Sequence, residues 1–250
     1  MVFGKMEIYA HRGFSGKYPE NTMIALQKAY EVGIDGIELD VQMTKDGEVV
    51  VIHDERIDRT TNGISYVKDF LYRELRGVDA GSWFHPRYAQ ERIPALIEVL
   101  EWVKNLDKKI TINIELKNNI INYPLLEEKV LRIIDQLRLE KQVVLSSFNM
   151  ESMLKVRQLH PTIEIGTLFA GVQQKVIEST KMLNAQAIHG DLPLILSSEA
   201  KRAVKEGIKL RVYTVNDVKI LPELRHAEVS TVMTDFPDEF LANMGKVGTK

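Results

Sequence analysis

Two imidazoles, His11 and His53, each close a short apolar run: Glu7-Ile8-Tyr9-Ala10 precedes the first and Val49-Val50-Val51-Ile52 the second. Arg12 and Gly13 follow His11 directly, and Glu38 and Asp40 follow Gly36-Ile37. The end of a strand is where a scaffold can hold charge at its rim without burying it. Two imidazoles, an arginine and two carboxylates at one rim imply metal-assisted chemistry on an anion. Imidazole titrates nearest neutrality, so a pair can divide the roles of proton donor and acceptor. Arg12 can grip a phosphate through two parallel hydrogen bonds, and Gly13 permits a tight turn with close backbone approach.

Glu38 and Asp40 are two apart on a strand, so their side chains share a face while Leu39 points the other way, towards helices. Like charges on a dry face repel unless a cation sits between them. The bland alternative is a pair of solvated rim carboxylates with lysine or arginine partners. Glu115 and Lys117 repeat this spacing after Ile110-Thr111-Ile112-Asn113-Ile114. Glu115 offers a third carboxylate and Lys117 a point charge for a phosphate oxygen, with Asn113 one step deeper. Taken alone, that pair would be a surface Glu–Lys contact of little energetic weight. His85, His160 and His226 read as structural, whereas His189 ends a strand and belongs either to the pocket wall or to the core. Trp83 and Phe84 form either a small local core or a wall against a leaving group. Tyr213, placed on one strand face with Arg211 and Val215, and Phe148 face the same choice between packing and ligand contact.

The elements that must position these groups alternate between strand and helix almost throughout, the pattern of parallel βα units. Strand candidates are Met6–Ala10, Gly36–Gln42, Glu48–His53, Ile110–Leu116, Gln142–Ser146, Ile163–Leu168, Gln186–Gly190, Ile208–Thr214 and Thr231–Thr234. These number one more than an eight-stranded barrel uses. Met43-Thr44-Lys45-Asp46-Gly47 is too short for a parallel crossover, and Asp-Gly is a hairpin signal. Glu48–His53 is therefore expected to be an antiparallel return strand that brings His53 back to the level of Asp40. Eight helices fill the gaps: one capped by Asn21 and ending near Gly33, then Pro94–Leu106, Pro124–Leu137, Asn149–Leu159, Val172–Leu183, Ser197–Glu206, Asp217–Arg225 and Pro237–Asn243. Residues 55–92 fit no βα unit and are too long for an ordinary loop. They are expected to form a small inserted subdomain, with a short helix at Lys68–Leu75, over the active end of a single domain spanning 1–250. The fold class expected is thus α/β, a TIM-type (β/α)8 barrel with an insertion after the His53 strand.

The 250 residues suit one large core, and 44% hydrophobic with 27% charged residues is an ordinary globular composition. A formal net charge of -2 speaks against a general nucleic-acid binder. With no cysteine, disulfides and thiolate sites are excluded, so a metal would be held by carboxylate, imidazole or water, which favours Mg²⁺ or Ca²⁺. No apolar run approaches the roughly 20 residues of a spanning helix, and the first apolar stretch is needed as a strand rather than a signal core. A cytoplasmic protein without stable membrane insertion is the expectation; its oligomeric state, monomer or homodimer, is left open.

His11-Arg12-Gly13, Pro19-Glu20-Asn21-Thr22, Glu38-Leu39-Asp40-Val41, Lys45-Asp46-Gly47 and His53-Asp54 together resemble the glycerophosphodiester phosphodiesterase family. Glu115-Leu116-Lys117, Ser146-Ser147-Phe148, Tyr213-Thr214-Val215-Asn216 and Thr234-Asp235-Phe236-Pro237 continue the resemblance in order, over nearly the whole chain. Tyr213 departs from it, since the family often has tryptophan there; an aromatic wall remains but the fit to substrate can change. The resemblance implies a TIM-type barrel that hydrolyses glycerophosphodiesters, such as glycerophosphocholine or glycerophosphoethanolamine, to sn-glycerol 3-phosphate and an alcohol. It implies His11 and His53 as the acid/base pair, Glu38, Asp40 and Glu115 as ligands of one divalent cation, and Arg12 and Lys117 as phosphate holders. Which histidine is the acid, and whether water or a neighbouring substrate hydroxyl attacks, stay open. A lysophospholipase D-like activity and a non-catalytic phosphate-binding barrel are the rival readings.

Overall fold

The computed structural model describes residues 5–244, so the two ends of the expected 1–250 domain lie outside the described residues. Among the described residues nine strands occur in the order β1 (Glu7–His11), β2 (Gly36–Met43), β3 (Val49–Val51), β4 (Thr111–Leu116), β5 (Val143–Ser147), β6 (Glu164–Phe169), β7 (Ala187–Gly190), β8 (Lys209–Val212) and β9 (Thr231–Thr234). All but β3 are parallel to their neighbours, and β1 pairs with both β9 and β2, which closes an eight-stranded TIM barrel. β3 runs antiparallel on the upper part of β2, with Val41 opposite Val51 and Met43 opposite Val49. The return strand expected from Asp46-Gly47 is present, and Ile52 N–H donates to the Asp40 carbonyl at 3.0 Å, which sets His53 beside Asp40.

The strands read by parity. Ile37, Leu39 and Val41 of β2 and Ile112, Ile114 and Leu116 of β4 are fully buried against the helices. Burial of each such side chain is worth about 1.5–3 kcal/mol. The opposite parity turns into the barrel and is polar: Glu38, Asp40 and Gln42 on β2, Asn113, Glu115 and Lys117 on and after β4. Around the strands lie α1 (Met23–Glu31), α2 (Tyr72–Leu75), α3 (Leu96–Lys104), α4 (Leu126–Leu137), α5 (Met150–Leu159), α6 (Val176–Met182), α7 (Leu192–Ile195), α8 (Ser198–Lys205), α9 (Leu221–His226) and α10 (Pro237–Met244). Among the described residues, no helix is long and apolar enough to cross a membrane.

Helix ends differ from expectation where a polar residue is claimed by the barrel. Asn21 does not cap α1; Thr22 holds that position, and Asn21, at φ 57°, donates its amide to Asp40 at 3.0 Å. Pro94 lies outside α3, whose N-cap is Ala95. Asn149 and Ser197 do cap α5 and α8 through their side chains. Residues 172–175 stay outside α6, and the stretch expected as one helix from Asp217 begins as a 3-10 turn at Val218–Ile220 before α9. α7 carried no expectation.

Between β3 and α3, residues 55–92 contain 3-10 turns at Val67–Asp69 and Pro86–Tyr88 with α2 between them, so the helix expected at Lys68–Leu75 is split in two. Ile57, Val67, Leu75 and Ala80 from this segment pack with Val50, Ile52 and Ile93 in a separate apolar cluster. Trp83 and Phe84 belong neither to that cluster nor to the cleft described below. They stack edge to face at 5.6 Å, with Trp83 exposed, and continue an aromatic run to Tyr88 and Tyr18.

Candidate active site

Asp40 and Glu115 are direct partners across the β2–β4 ladder, and Glu38 is one inward step below Asp40. Parallel pairing therefore gathers three buried carboxylates, each offering an oxygen within 4.8 Å of the others. Their protonation reflects the crowding. Burial, with Asp40 and Glu115 adding repulsion, pushes Glu38 well above the usual carboxylate range. Burial and Asp40 push Glu115 up to about 7, against the opposing pull of Lys117. Burial works the same way on Asp40, but Arg12, His53, Lys117 and the Asn21 amide outweigh it and hold Asp40 low. A cation set among these oxygens would relieve the repulsion, and the all-oxygen donor set fits a hard divalent ion.

His11 ends β1 and His53 follows β3, on either side of this cluster. Each ring is anchored by a carboxylate on Nδ1: Asp235 Oδ1 for His11 and Asp54 Oδ1 for His53, both at 2.7 Å. Hydrogen bonds from Arg59 and His53 overcome the effect of burial and hold Asp54 at about 2. Bonds from His11, Asn216 and Ser15 do the same for Asp235. An anion on Nδ1 draws a proton to that nitrogen and leaves Nε2 turned away from the carboxylate. His11 Nε2 lies 3.4 Å from the Thr214 hydroxyl and 4.0 Å from Glu38 Oε2. His53 Nε2 lies 3.2 Å from Lys117 Nζ. Burial, and then Arg12 and Lys117, hold His53 below its ordinary value, against the pull of Asp40 and Asp54.

Arg12 turns its guanidinium between Asp40 Oδ2 at 3.3 Å and Glu20 Oε1 at 2.9 Å, while its backbone N–H donates to Glu38 Oε2 at 3.1 Å. Lys117 donates to Glu115 Oε1 at 3.0 Å and so stands between a carboxylate and an imidazole. His11, Arg12, His53, Glu115, Lys117 and Tyr213 all line one cleft, with Glu38 and Asp40 buried beside it. Phe148, Leu192 and Tyr213 form an apolar wall of the cleft, and Asp191 lies on the same side. The Tyr213 hydroxyl donates to the Phe169 carbonyl at 2.8 Å and its ring meets Phe148 edge to face at 6.3 Å, so the ring rather than the hydroxyl is free for a ligand. Val215 does not share that face; it packs into the outer core.

The other histidines are placed away from the cleft. His189 is fully buried inside the barrel, where Nε2 takes Arg211 at 3.2 Å. His85 and His160 accept backbone N–H groups of Arg87 and Ile163, and His226 ends α9. Glu20, Asp54, Arg59 and Asp235 join the site only through contacts the fold creates. Asp54 carries the local signal of adjacency to His53, but nothing in the spacing joins Asp235 to His11, 224 residues away.

Residues 11–239 match the sequence profile of the glycerophosphoryl diester phosphodiesterase family. The chain is 41% identical over 247 residues to a glycerophosphodiester phosphodiesterase of Caldanaerobacter subterraneus, covering 98% of this chain and 99% of the relative. It is 42% identical over 237 residues to one from Bacillus altitudinis, with 93% and 95% covered. An Oleispira antarctica phosphodiesterase solved with the product sn-glycerol-3-phosphate superposes with a TM-score of 0.83 at 28% identity, over 94% of this chain and 95% of that one.

Proposed function

The chain belongs to the glycerophosphoryl diester phosphodiesterase family and is a phosphoric diester hydrolase, and on that premise we propose that it converts glycerophosphodiesters to sn-glycerol 3-phosphate and an alcohol by two-histidine acid/base catalysis. Glycerophosphocholine and glycerophosphoethanolamine are the soluble substrates we assign to it. The observation that carries the reading is the convergence, in one cleft, of two carboxylate-anchored imidazoles with a buried trio of carboxylates. The product bound in the Oleispira relative supports the same reaction.

Glu38, Asp40 and Glu115 would hold one Mg²⁺ or Ca²⁺. When bound, that ion would offset most of the trio's charge and polarise an oxygen of the phosphodiester. Arg12 and Lys117 face the cleft and hold the remaining phosphate oxygens, the arginine as a fork and the lysine as a point charge. One imidazole enters neutral and takes the proton of the attacking oxygen at its Nε2, while the other enters protonated on both nitrogens and gives its own Nε2 proton to the departing alkoxide. Asp235 and Asp54 keep both rings turned so that Nε2, not Nδ1, meets the phosphate. Phe148, Leu192 and Tyr213 shield one side of the cleft from water, which strengthens every charge interaction within it.

A coupled assay for sn-glycerol 3-phosphate, run on several headgroups and on lysophosphatidylcholine, tests this reading. We expect release from the soluble diesters, loss of activity with EDTA, and recovery on adding back Mg²⁺ or Ca²⁺. His11→Ala and His53→Ala should each lower turnover at least ~100-fold, the lower end for lost acid/base catalysis. Near-parental turnover in either folded variant would overturn the assignment.

A further inference from the structure

The segment 55–92 sends one side chain back to the barrel rim. The guanidinium of Arg59 lies between two carboxylates and forks both. Nε and Nη2 donate to Asp54 at 2.7 and 3.0 Å, and Nη1 and Nη2 donate to Glu20 at 2.8 and 2.7 Å. Neither carboxylate stops there. Asp54 Oδ1 takes His53 Nδ1 at 2.7 Å, and Glu20 Oε1 takes Arg12 Nη1 at 2.9 Å. A continuous chain runs His53–Asp54–Arg59–Glu20–Arg12, with an imidazole of the cleft at one end and a guanidinium of the cleft at the other.

We propose that Arg59 is a positioning residue: by clamping Asp54 and Glu20 together it orients the His53 ring and the Arg12 guanidinium, so that docking of the inserted segment assembles both. The proposal rests on the roles given to His53 and Arg12 under the proposed function. Arg59 itself does not line the cleft, so it acts through its two partners.

An exposed ion pair ordinarily contributes little, and the Arg59 side chain is 45% exposed. Two features set this one apart. The guanidinium makes four hydrogen bonds in planar two-point geometry, which an ammonium cannot reproduce. Its partners are less exposed than it is, Glu20 with 12% and Asp54 with 28% of the side chain accessible, so the fork fixes groups held at the rim. His11 offers the contrast. Its partner Asp235 is braced by the neutral donors Ser15 and Asn216, from the barrel itself, and owes nothing to the insertion.

The two arms make separable predictions, measured at saturating metal on the folded full chain. Freeing Asp54 loosens His53 and should appear in kcat, whereas freeing Glu20 loosens the grip of Arg12 on the bound diester and should appear in KM. We expect Arg59→Gln to lower kcat/KM about 10–100-fold with both parameters affected, the cost usual for removing a group that orients a site residue. Glu20→Gln should raise KM with little change in kcat. Arg59→Lys should recover only part of the loss, because a single ammonium pairs with one carboxylate at a time. An Arg59→Gln enzyme that melts lower yet turns over like the parent would overturn the proposal, as would full recovery by lysine. If Arg59→Gln does not fold, Glu20→Gln decides alone, and an unchanged KM sinks the relay. Full turnover in His53→Ala would instead overturn the reading on which the clamp rests, an outcome distinct from an inert Arg59.

Discussion

Asp235 has no place in the usual inventory of acid, base and metal ligand, yet its carboxylate decides how His11 is presented. It receives the His11 ring at 2.7 Å, the Ser15 hydroxyl at 2.8 Å and the Asn216 amide at 2.7 Å. These bonds outweigh the opposition of burial and hold it at about 2, so it is an anion across the neutral range. Asp235→Asn keeps the shape but loses the charge, and its amide can present a donor where His11 needs an acceptor. We expect kcat to fall about 10–100-fold with KM little changed. A parental kcat in that variant would show that ring orientation does not depend on the anion. The gathering of His11, Glu38, Asp40, His53, Glu115 and Lys117 was legible in the sequence because all follow strand-forming runs and the carboxylates keep a spacing of two, a combination that speaks where a single pair such as Glu115 and Lys117 does not. Asp235, Glu20 and Arg59 were not, because their meaning lies in contacts made across the fold. Asn21 departs from its expected capping place for the same reason: its amide serves Asp40 rather than a helix end.

At the scale of elements, the turn after β1 is where backbone geometry and site geometry meet. Arg12 and Gly13 both lie in the left-handed region, at φ 56° and 78°, and Phe14 N–H then reaches the Ala25 carbonyl at 2.9 Å in α1. A Cβ on Gly13 would fall 2.7 Å from the Ala25 carbonyl carbon, so the strand cannot hand over to α1 this closely with any other residue. Gly13→Ala should therefore cost about 1–3 kcal/mol, the usual range for overpacking a close approach. It should also weaken activity, because Arg12 N–H and its guanidinium both leave this turn. Urea unfolding beside the coupled assay checks this, and a variant as stable and active as the parent would show that α1 yields freely. Strand positions were readable from period-two alternation, and the hairpin from Asp46-Gly47, because both depend on local rules. Helix starts were less so: Ser197 and Asn149 cap as their chemistry suggests, but Pro94 stands off from α3, where the chain is still bridged to β3 through Ala95 and Val50.

The whole molecule is an unusual barrel in one respect: where such interiors are commonly filled by branched apolar side chains, much of this one is ionisable. Closing the sheet forces Glu38, Asp40 and Glu115 into one another's field, and that is a cost of the metal-free fold. A carboxyl whose folded pKa lies above its unfolded value costs stability as the pH rises from the unfolded value to the folded one, and Glu38 is raised in this way by burial and by repulsion from Asp40 and Glu115. The backbone N–H of Arg12, at 3.1 Å from Glu38 Oε2, would still find an acceptor in a glutamine. Metal-free Glu38→Gln should therefore melt at or above the parent above pH 7. Adding Mg²⁺ or Ca²⁺ should reverse the order. Binding to the folded state alone contributes about 2.7 kcal/mol at a hundredfold excess over Kd, or about 5–10 °C in a domain of this size. The parent should gain that shift and Glu38→Gln should lose most of it, so the order of the two melting temperatures inverts between chelator and metal. Equal shifts in the two proteins would place the cation elsewhere, and no shift in either would remove the trio as a metal site.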